Sequence, residues 1–340
     1  MTMRDVAKAA GVSQPTVSHV LNDTASISPA VREKVLSIID QMGYTQDAIA
    51  KSLKTRKTNV VGLIIPDASI GYYAEIISTV ERELRNEGLI LFLCNTLYNP
   101  DLEEQYIKAL LQHNVSGIIV GYGLYNTDSY SDALKNDIPL VTLDDTFMYE
   151  ENFIPYVRIN NDSIASLAAN HLYKIGARKI AFVSEPLFND ALKQRYAGFK
   201  SSLKELGLEF DESRCFIEHN QYDKIDMGYN LGANIVLDNS IDAAFASSDQ
   251  LAFGIIKRLK EFNRKTPDEI AIMGCDDAPL AKLISPELTT IAQPKTEMAK
   301  IGTHLLIKQI NGQKLDYNEK GTTLEPSLII RTSTMKKNGV

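Results

Sequence analysis

The 340-residue chain has no tryptophan and only three cysteines, which are Cys94, Cys215 and Cys275. The cysteines lie far apart in apolar runs, which favours reduced, buried thiols over a disulfide framework, and no catalytic motif surrounds any of them. The five histidines are equally scattered and lack the spacing that metal ligands show. We therefore expect neither a bound metal nor another cofactor.

Long apolar runs are also missing. Stretches such as VVGLII and LILFLC have the length of a strand and fall far below the roughly 18 residues of a membrane span. The first ten residues, MTMRDVAKAA, lack the apolar core of a secretory signal. These absences predict a cytoplasmic protein rather than an exported or membrane-bound one.

The motifs of several enzyme classes are absent as well. The segment GYGLYN at 121–126 lacks the third glycine of a dinucleotide-binding loop. The chain also has no G-x-S-x-G motif, no phosphate-binding P-loop and no H-E-x-x-H motif. We therefore predict that the protein is not an enzyme.

Charge is distributed unevenly along the chain. The net charge of −7 by itself argues against nucleic-acid binding. Residues 1–60, however, contain eight Lys and Arg against five Asp and Glu, whereas the other 280 residues contain 28 against 38. A small basic head on an acidic body is expected if only the head meets phosphates.

The head contains two short helical patterns separated by a glycine. MRDVAKAA predicts the first helix, and Gly11 suits the left-handed conformation that closes a helix and turns the chain. Ser13 is a candidate N-cap of the second helix, and Pro15 suits its first turn. Gln14 precedes proline and is biased away from helical angles, so the predicted start is uncertain by one residue. A third helix is predicted over about 29–42, followed by a weaker one at DAIAKSLK.

Two short helices joined by a glycine-containing turn indicate a helix-turn-helix, whose second helix places its N-terminal residues against base edges in the major groove. Small polar side chains suit that position. Gln14 can pair with adenine, His19 can donate to guanine, and Pro15 can contact a thymine methyl. Thr16 and Ser18 can reach bases or phosphates. The spacing alone leaves one alternative open, an ordinary helical hairpin with a polar surface.

From residue 59 onward, near-continuous apolar strands alternate with amphipathic helices. This pattern is typical of parallel sheets covered by helices on both faces. The strands are too many for one small sheet and fit two similar lobes of about 130 residues each. We therefore predict an N-terminal all-α helix-turn-helix head and an α/β body of two doubly wound parallel-sheet lobes.

Residues 4–22, RDVAKAAGVSQPTVSHVLN, resemble the helix-turn-helix signature of the LacI (lactose-repressor) family of bacterial transcription regulators. The similarity continues through GYTQDAIAKSLKT and reappears in the body at RYAGF, GCDD, LTTIAQP and SLIIRTS. It implies a homodimeric repressor of a pseudo-palindromic DNA operator, controlled by a small ligand such as a sugar or sugar derivative. There are two alternatives. In the first, the regulator binds DNA but is controlled by a protein corepressor; in the second, the chain is a sugar-binding protein without a DNA role. Induction and corepression by the ligand both stay open.

The resemblance assigns DNA contacts to the second helix and to a hinge that follows the head. These residues are Ser13, Gln14, Pro15, Thr16, Ser18, His19, Asn22, Tyr44, Lys51, Leu53 and Lys54. In the family the hinge helix forms on operator DNA and a leucine wedges into the minor groove, where Leu53 stands here. The family often has Pro-Asn where this chain has Gln46-Asp47, and an arginine where it has Lys51. A lysine cannot make the bidentate phosphate contact that an arginine makes. The alternative for Leu53 is plain linker contact with the body.

The two-lobed body resembles the periplasmic-binding-protein fold, whose ligand lies between the lobes near the carboxyl ends of the strands. The resemblance assigns ligand contacts to Tyr72, Tyr73, Asn189, Arg195, Tyr222, Asp249 and Asp276. Carboxylates, a guanidinium and aromatic rings together suit a polyhydroxylated ligand. The alternatives are lobe packing for Tyr72 and Tyr222, and helix capping for Asp249 and Asp276.

These patterns also predict domain boundaries. The DNA-binding domain takes 1–45, the hinge and linker 46–59, the body 60–333 and a tail 334–340. Within the body, lobe 1 takes about 60–159 and 292–322, and lobe 2 about 160–291 and 323–333. No apolar heptads follow Arg331, which favours a dimer over a tetramer built on a coiled coil.

Overall fold

The structure is a computed structural model that describes residues 2–22, 26–44, 58–121, 127–144, 148–149, 152–187, 189–218 and 223–335. The chain divides into two compact units, residues 1–58 and residues 59–340. The predicted hinge helix, with Lys51, Leu53 and Lys54, lies outside the described residues, and so does Tyr222.

The described residues of the first unit form three helices, which are α1 (Met3–Ala10), α2 (Gln14–Asn22) and α3 (Pro29–Gln41). All three lie where the sequence predicts them. Small and β-branched side chains form their common core, which consists of Val6, Ala7, Ala10, Val17, Val20 and Val35. Such short helices are marginal alone, so this shared apolar face is what stabilises them.

Both ends of α1 are satisfied by local groups. At its start the Thr2 hydroxyl accepts from the Asp5 backbone N–H, while the Asp5 carboxylate accepts from the Thr2 backbone N–H, forming a capping box. At its end Gly11 has φ 65°, and its N–H donates to the carbonyls of Ala7 and Lys8. The predicted left-handed turn at Gly11 is confirmed.

The second unit is built from strands that alternate with helices. Its strands are β1 (Val60–Ile65), β2 (Ile90–Asn95), β3 (Gly117–Val120), β4 (Leu140–Leu143), β5 (Met148–Tyr149), β6 (Asn152–Phe153), β7 (Tyr156–Ile159), β8 (Ile180–Ser184), β9 (Cys215–Ile217), β10 (Ala243–Ala246), β11 (Ala271–Cys275), β12 (Thr289–Ala292), β13 (Gly321–Leu324) and β14 (Ser327–Ile329). Its helices are α4 (Gly71–Asn86), α5 (Pro100–Gln112), α6 (Thr127–Lys135), α7 (Asn161–Lys174), α8 (Asp190–Glu205), α9 (Lys224–Leu237), α10 (Asp249–Glu261) and α11 (Lys295–Ile310).

The strands form two six-stranded sheets and one two-stranded antiparallel ribbon of β5 and β6. The first sheet has the order β13-β7-β4-β3-β1-β2, and all its neighbours are parallel. The second has the order β14-β12-β11-β10-β8-β9, and only the β12–β14 pair is antiparallel. The order around the first strand of each lobe is that of a doubly wound fold. The predicted fold class is confirmed.

The chain passes between the two sheets three times, after β7, after β12 and after β13. The predicted boundary after residue 291 falls inside β12, whose Ala292 pairs with Ser327 in the second sheet. The predicted boundary after residue 322 falls inside β13, which pairs with β7 in the first sheet. The third passage therefore lies at residues 325–326. The Thr-containing sequence of β13, GTTL, carries too little apolar signal to be recognised as a strand.

Helices α9 and α10 cross so closely that two glycines are required at the contact. A Cβ on Gly228 would overlap the backbone of Leu251, and a Cβ on Gly254 would overlap the carbonyl oxygen of Ile225. Only glycine permits such an approach of two backbones. The contact fixes the beginnings of α9 and α10 side by side, at the carboxyl-end edge of the second sheet.

Candidate functional site

The second helix of the head begins as a recognition helix would. The Ser13 hydroxyl accepts from the Thr16 backbone N–H at 3.3 Å, and the Ser13 carbonyl accepts from Val17 N–H at 3.2 Å. Ser13 is therefore the N-cap, as predicted, and Pro15 lies in the first turn, where a missing N–H leaves no bond unmade. The helix begins at Gln14 despite the bias against helical angles before proline.

Polar and apolar residues of α2 lie on opposite faces. At about 100° per residue, Gln14, Pro15, Ser18 and His19 share one face of the helix, and three of them are exposed while Ser18 is half-buried. Val17 and Val20 lie on the opposite face in the core, and Leu21 packs against it. The face with Gln14 and His19 is therefore presented away from the core of this unit.

The remaining predicted DNA-contact residues differ in position. Thr16 lies at the edge of the buried face, and its hydroxyl hydrogen-bonds the Ser13 hydroxyl at 2.8 Å. Tyr44 is half-buried and packs against the core of the head. Asn22 is the last residue of α2, with its side chain outside the described part of the structure.

In the second unit, a cavity opens at the carboxyl ends of both sheets. It encloses about 970 Å³ of empty space, including the solvent at its mouth. Its lining comes from loops after strands and from the first turns of helices. The described lining residues are Asp67, Ser69, Ile70, Tyr72, Tyr73, Tyr98, Asp144, Glu185, Pro186, Asn189, Ala191, Leu192, Arg195, Asp223, Lys224, Met227, Ser247, Ser248, Gln250, Asp276 and Gln293. This is where open α/β sheets place ligands.

Five of the seven residues predicted to contact a ligand line this cavity, and they are Tyr72, Tyr73, Asn189, Arg195 and Asp276. The first two come from α4 of the first lobe and the other three from the second lobe. The structure therefore brings together residues that are up to 204 positions apart in the chain. Asp249 does not line the cavity, and Tyr222 is not described.

Asp249 is fully buried behind the cavity wall. Its carboxylate accepts from the Thr290 hydroxyl at 2.5 Å and from the Ala278 backbone N–H at 2.7 Å. Burial, and then the neighbouring Asp276, raise the pKa of Asp249 to about 7, although the two hydrogen bonds favour the ionised form. Its place is structural, because it ties the start of α10 to Thr290 within β12 and to Ala278 in the segment after β11. The neighbouring Ser248 and Gln250 line the cavity instead.

Arg195 is held rigidly by neutral acceptors. Its Nε donates to Asn161 Oδ1 at 2.7 Å, its Nη1 to the Ser247 carbonyl at 3.0 Å and its Nη2 to Gln293 Oε1 at 3.3 Å. A buried guanidinium needs such partners in place of water. The planar group is consequently fixed at the floor of the cavity.

Asp276 lies beside this guanidinium in an unusual backbone conformation, with φ 130°. Its Oδ1 accepts from Gln293 Nε2 at 2.7 Å, and its backbone carbonyl accepts from Lys295 Nζ at 2.5 Å. Burial raises the pKa of Asp276, although the charges of Arg195 and two lysines oppose the shift. A carboxylate fixed in this way accepts hydrogen bonds from hydroxyl groups of a ligand.

The two tyrosines of α4 that were predicted to contact a ligand line the cavity and also pack against each other. Tyr72 donates from its hydroxyl to Asp144 Oδ2 at 3.1 Å, and its ring meets Tyr73 edge to face with 5.1 Å between centroids. Burial, and then the charges of Asp144 and Asp276, raise the pKa of Tyr72 well above its ordinary value. Tyr72 therefore stays a neutral donor, with an apolar ring in the cavity wall.

Asn189 caps α8, since its Oδ1 accepts from the Leu192 N–H at 2.7 Å. Its side-chain oxygen is thus committed to the helix although the residue borders the cavity. Its amide nitrogen is the part of the side chain that suits a ligand acceptor.

Several lining residues were missed by the sequence reasoning. Glu185 follows β8, Asp144 follows β4, Ser247 follows β10 and Gln293 follows β12. A polar residue immediately after an apolar strand is the signal that would have found them. Lys224, which donates to Glu185 Oε1 at 2.7 Å, begins a helix and carries no comparable signal.

The lining of the cavity is rich in carboxylate, hydroxyl and amide groups. Within the described part of the chain, no cluster of three or more His, Cys, Asp or Glu side chains is arranged to hold a metal ion. Likewise, no described helix has the length and apolarity required to cross a bilayer.

Family models match both units. The model of the lacI family of bacterial regulatory proteins matches residues 2–47, and that of the periplasmic binding protein-like domain matches residues 169–334. A helix-turn-helix unit joined to a ligand-cavity unit defines a ligand-responsive DNA-binding protein. The chain belongs to the lacI family of bacterial regulatory proteins and is a transcription regulator, not an enzyme.

Relatives of known role cover the chain from end to end. It is 32% identical over 338 residues to the HTH-type transcriptional repressor PurR of Mannheimia succiniciproducens, which covers 98% of this chain and 99% of the relative. It is 34% identical over 315 residues to the ribose operon repressor of Halalkalibacterium halodurans, with 93% and 92% covered.

Solved structures share the whole fold. A lac repressor dimer bound to operator and the anti-inducer ONPF aligns with a TM-score of 0.85 at 22% identity, covering 98% of this chain and 99% of that one. The regulator CelR in complex with cellobiose aligns with a TM-score of 0.72 at 25% identity, with 98% and 99% covered. The first of these shows the fold alone.

Proposed function

We propose that this regulator represses transcription by reading an operator with the exposed face of α2 and that a polyhydroxylated metabolite in the cavity controls this binding. The observation that carries the DNA-reading role is the separation of α2 into two faces. Gln14, Pro15 and His19 are exposed on one face, opposite the buried Val17 and Val20. A helix that packed as an ordinary hairpin would not need polar hydrogen-bonding groups and a proline together at its exposed start.

Each side chain of this face has a definite chemistry toward DNA. Gln14 suits a bidentate pair with adenine, His19 suits donation to guanine, and Pro15 suits a thymine methyl. Ser18 reaches bases or phosphates from the same face. Three further residues make contacts within the head and suit phosphate contacts, which position the protein on the duplex without reading the base sequence. They are Ser13, Thr16 and Tyr44.

Lys51, Leu53 and Lys54 are proposed DNA contacts on the strength of the resemblance alone, because they lie outside the described residues. The role of Leu53 is a wedge in the minor groove, which bends the duplex and lets more protein contact it. Lys54 would contact phosphates. We also propose that the protein acts in the cytoplasm, where bacterial DNA lies.

A sugar or sugar derivative is the ligand class that the cavity supports. Arg195 and Asp276 offer a fixed donor and a fixed acceptor, and Tyr72 and Tyr73 offer aromatic surface. This combination suits a molecule with several hydroxyl groups and an apolar ring face. One relative is a ribose operon repressor and one structural neighbour holds cellobiose. Asn189, which borders the cavity, remains a proposed contact. Tyr222 lies outside the described residues and remains a proposed contact on the strength of the resemblance.

A second copy of this chain is the proposed partner at the edge of the first sheet. The edge strand β2 and the loop after it expose large apolar side chains, which are Ile90, Phe92, Leu93 and Leu97. An apolar edge strand left open would be an aggregation site, so a covered edge is expected. A twofold dimer also matches a pseudo-palindromic operator.

Control follows from linkage between the two sites. Because the cavity is lined by both lobes, a ligand that binds one relative position of the lobes better than another shifts the population toward it. Operator affinity changes if DNA favours one of the same states, and the coupling is reciprocal.

Selection of bound duplexes from a random pool, with and without a panel of sugars, tests the proposal. We expect one enriched pseudo-palindrome and at least one sugar that changes its recovery. The variant Gln14→Ala should lose preference at one base position per half-site by about 1–3 kcal/mol, whereas Gln41→Ala, an exposed glutamine on α3, should not. No enrichment in any condition would refute the proposal, and unchanged base preference in Gln14→Ala would refute the assignment of the reading face.

A further inference from the structure

The carboxylates of the cavity outnumber its cations. Among the described lining residues, the acids are Asp67, Asp144, Glu185, Asp223 and Asp276 and the cations are Arg195 and Lys224. Ligand anions therefore meet a wall with an excess of negative charge. In a partly desolvated site this repulsion is far stronger than in water.

Both cations are already engaged with the protein. Lys224 Nζ donates to Glu185 Oε1 at 2.7 Å, and both side chains are largely buried. Burial lowers the pKa of Lys224, but the charge and hydrogen bond of Glu185 together with the charges of Tyr98 and Asp276 raise it overall, so Lys224 is charged at neutral pH. Arg195 donates three of its five N–H groups, one from each nitrogen, to Asn161, Ser247 and Gln293.

Helix N-termini are the other common source of anion binding. Among the described helices that begin at the cavity, α8, α9 and α10 each have an N-cap side chain that accepts from an N–H of the first turn, and each has an acid in that turn; the caps are Asn189, Asp223 and Ser248. Helix α4 also begins there, at Ile70, without a side-chain cap or a first-turn acid. The exclusion of anions therefore rests on the excess of carboxylates in the lining rather than on the helix ends.

Two side-chain oxygens in the cavity wall, by contrast, have no protein partner. Glu185 Oε2 and Ser247 Oγ are buried without a hydrogen bond, and Glu185 as a whole is only 8% exposed. The two residues follow the neighbouring parallel strands β8 and β10, whose last paired residues are Val183 and Ala246. A buried carboxylate oxygen without a donor is costly, so these atoms mark where ligand donors belong.

We infer that Glu185, positioned by Lys224, is a ligand-contacting residue that accepts a hydroxyl hydrogen bond from an uncharged polyhydroxy ligand and excludes its phosphorylated and acidic forms. Ser247 contributes a second contact beside it. The inference rests on the proposed ligand control and extends it, because it names which member of a sugar and sugar-phosphate pair the cavity takes.

Calorimetric titration of the full chain without DNA tests the inference. Neutral mono- and disaccharides, ribose and cellobiose among them, are each compared with their phosphate esters. We expect binding of at least one neutral sugar, and affinity at least a hundredfold weaker for its phosphate ester. Because no operator is present, this outcome is independent of whether the proposed DNA-reading face is correct.

The variant Glu185→Gln isolates the carboxylate. Glutamine still offers Lys224 an acceptor, but it presents N–H groups where Oε2 accepted from the ligand. We expect a ten- to hundredfold loss of affinity for the neutral sugar, together with a smaller ratio between neutral and phosphorylated ligand. A merely structural role would lower both affinities equally. Glu209→Gln, an exposed carboxylate outside the cavity, is the matched control and should change neither.

Three results would overturn the inference. They are tighter binding of a phosphate ester than of its neutral sugar, failure of all neutral sugars to bind, and an unchanged selectivity ratio in Glu185→Gln. The circular dichroism spectrum and melting temperature of Glu185→Gln establish that it is folded. Should that variant not fold, Ser247→Ala carries the same comparison. It should weaken neutral-sugar binding about tenfold, because the Ser247 hydroxyl belongs to the same cavity wall and holds no protein partner. Unchanged binding in Ser247→Ala would then overturn the inference.

Discussion

Gln293 joins Asp276 to Arg195 across the floor of the cavity. Its Nε2 donates to Asp276 Oδ1 at 2.7 Å, while its Oε1 accepts from Arg195 Nη2 at 3.3 Å. One amide therefore serves an anion and a cation at once, in the orientation that both require. Gln293 lies where the chain passes from β12 of the second sheet to α11 of the first lobe. The charged side chains of the cavity and the connection between the lobes are thus linked through one residue.

Replacing Gln293 with methionine should disconnect this pair. Methionine is similar in length but cannot hydrogen-bond either partner, so Asp276 and Arg195 each lose a contact in a buried setting. We expect a loss of stability of about 1–3 kcal/mol and weaker binding of any sugar that binds the wild type, measured by urea unfolding and calorimetry.

Gln313→Met is the control for this change, because Gln313 is exposed and distant from the cavity. It should leave both quantities unchanged. Wild-type stability and ligand affinity in Gln293→Met would show that the amide does not organise the site.

The burial of Asp249 predicts a dependence of stability on pH. Its pKa is about 7 in the folded state, against about 3.9 in an unfolded chain. Between these values the folded protein retains a proton that the unfolded chain releases. Its contribution to stability is therefore complete below about pH 4 and is lost as the pH rises through 7.

The variant Asp249→Asn should remove this contribution. Asparagine can accept from the Ala278 N–H and donate to the Thr290 hydroxyl, so both bonds seen for Asp249 have replacements. We expect the free energy of unfolding of the variant, relative to wild type, to increase between pH 5.5 and pH 8 by an amount on the order of a few kcal/mol.

Urea unfolding at several pH values measures this difference. The raised pKa of Asp276 gives a slope of the same sign in both proteins, so the comparison uses the difference between them, which reports Asp249 together with its interaction with Asp276. A constant or decreasing difference across the range would contradict the assignment of a protonated Asp249.

The proposed dimer surface predicts the effect of a charge on β2. Phe92 is 44% exposed at the edge of the first sheet. If a second copy covers it, Phe92→Asp places an unpaired charge in an apolar interface and should weaken the dimer by at least a hundredfold. Sedimentation equilibrium over a range of concentrations measures the change.

Phe262→Asp provides a matched comparison, because Phe262 is 52% exposed at the end of α10. It should leave the dimer intact. Equal dimer strength in Phe92→Asp and wild type would place the interface elsewhere, and a monomeric wild type would remove the proposal of a twofold operator complex.

Local features of the head could be predicted from the sequence with residue accuracy. Gly11, Ser13 and Pro15 each act on the backbone within a few residues, through left-handed geometry, N-capping and a fixed φ. The alternation of apolar strands and helices likewise predicts two doubly wound lobes, because parallel strands are buried on both faces.

The cavity lining was predictable only in part. Tyr72, Arg195 and Asp276 were assigned by resemblance and lie in the cavity, whereas Glu185, Lys224 and Gln293 were not assigned. Lys224 meets Glu185 across 39 positions of the chain, and no periodicity or capping rule extends so far.

The sequence by itself determined the elements and their order, because helix capping, glycine geometry and apolar periodicity are short-range effects. The tertiary structure alone decided which of two similar acids lines the cavity. Asp276 follows β11 and lines the cavity. Asp249 begins α10 and is buried, with its carboxylate hydrogen-bonded to the Thr290 hydroxyl and the Ala278 N–H. That choice depends on how α10 packs against the ends of β11 and β12, and side chains brought together from distant parts of the chain set the charge and hydrogen-bonding character of the site.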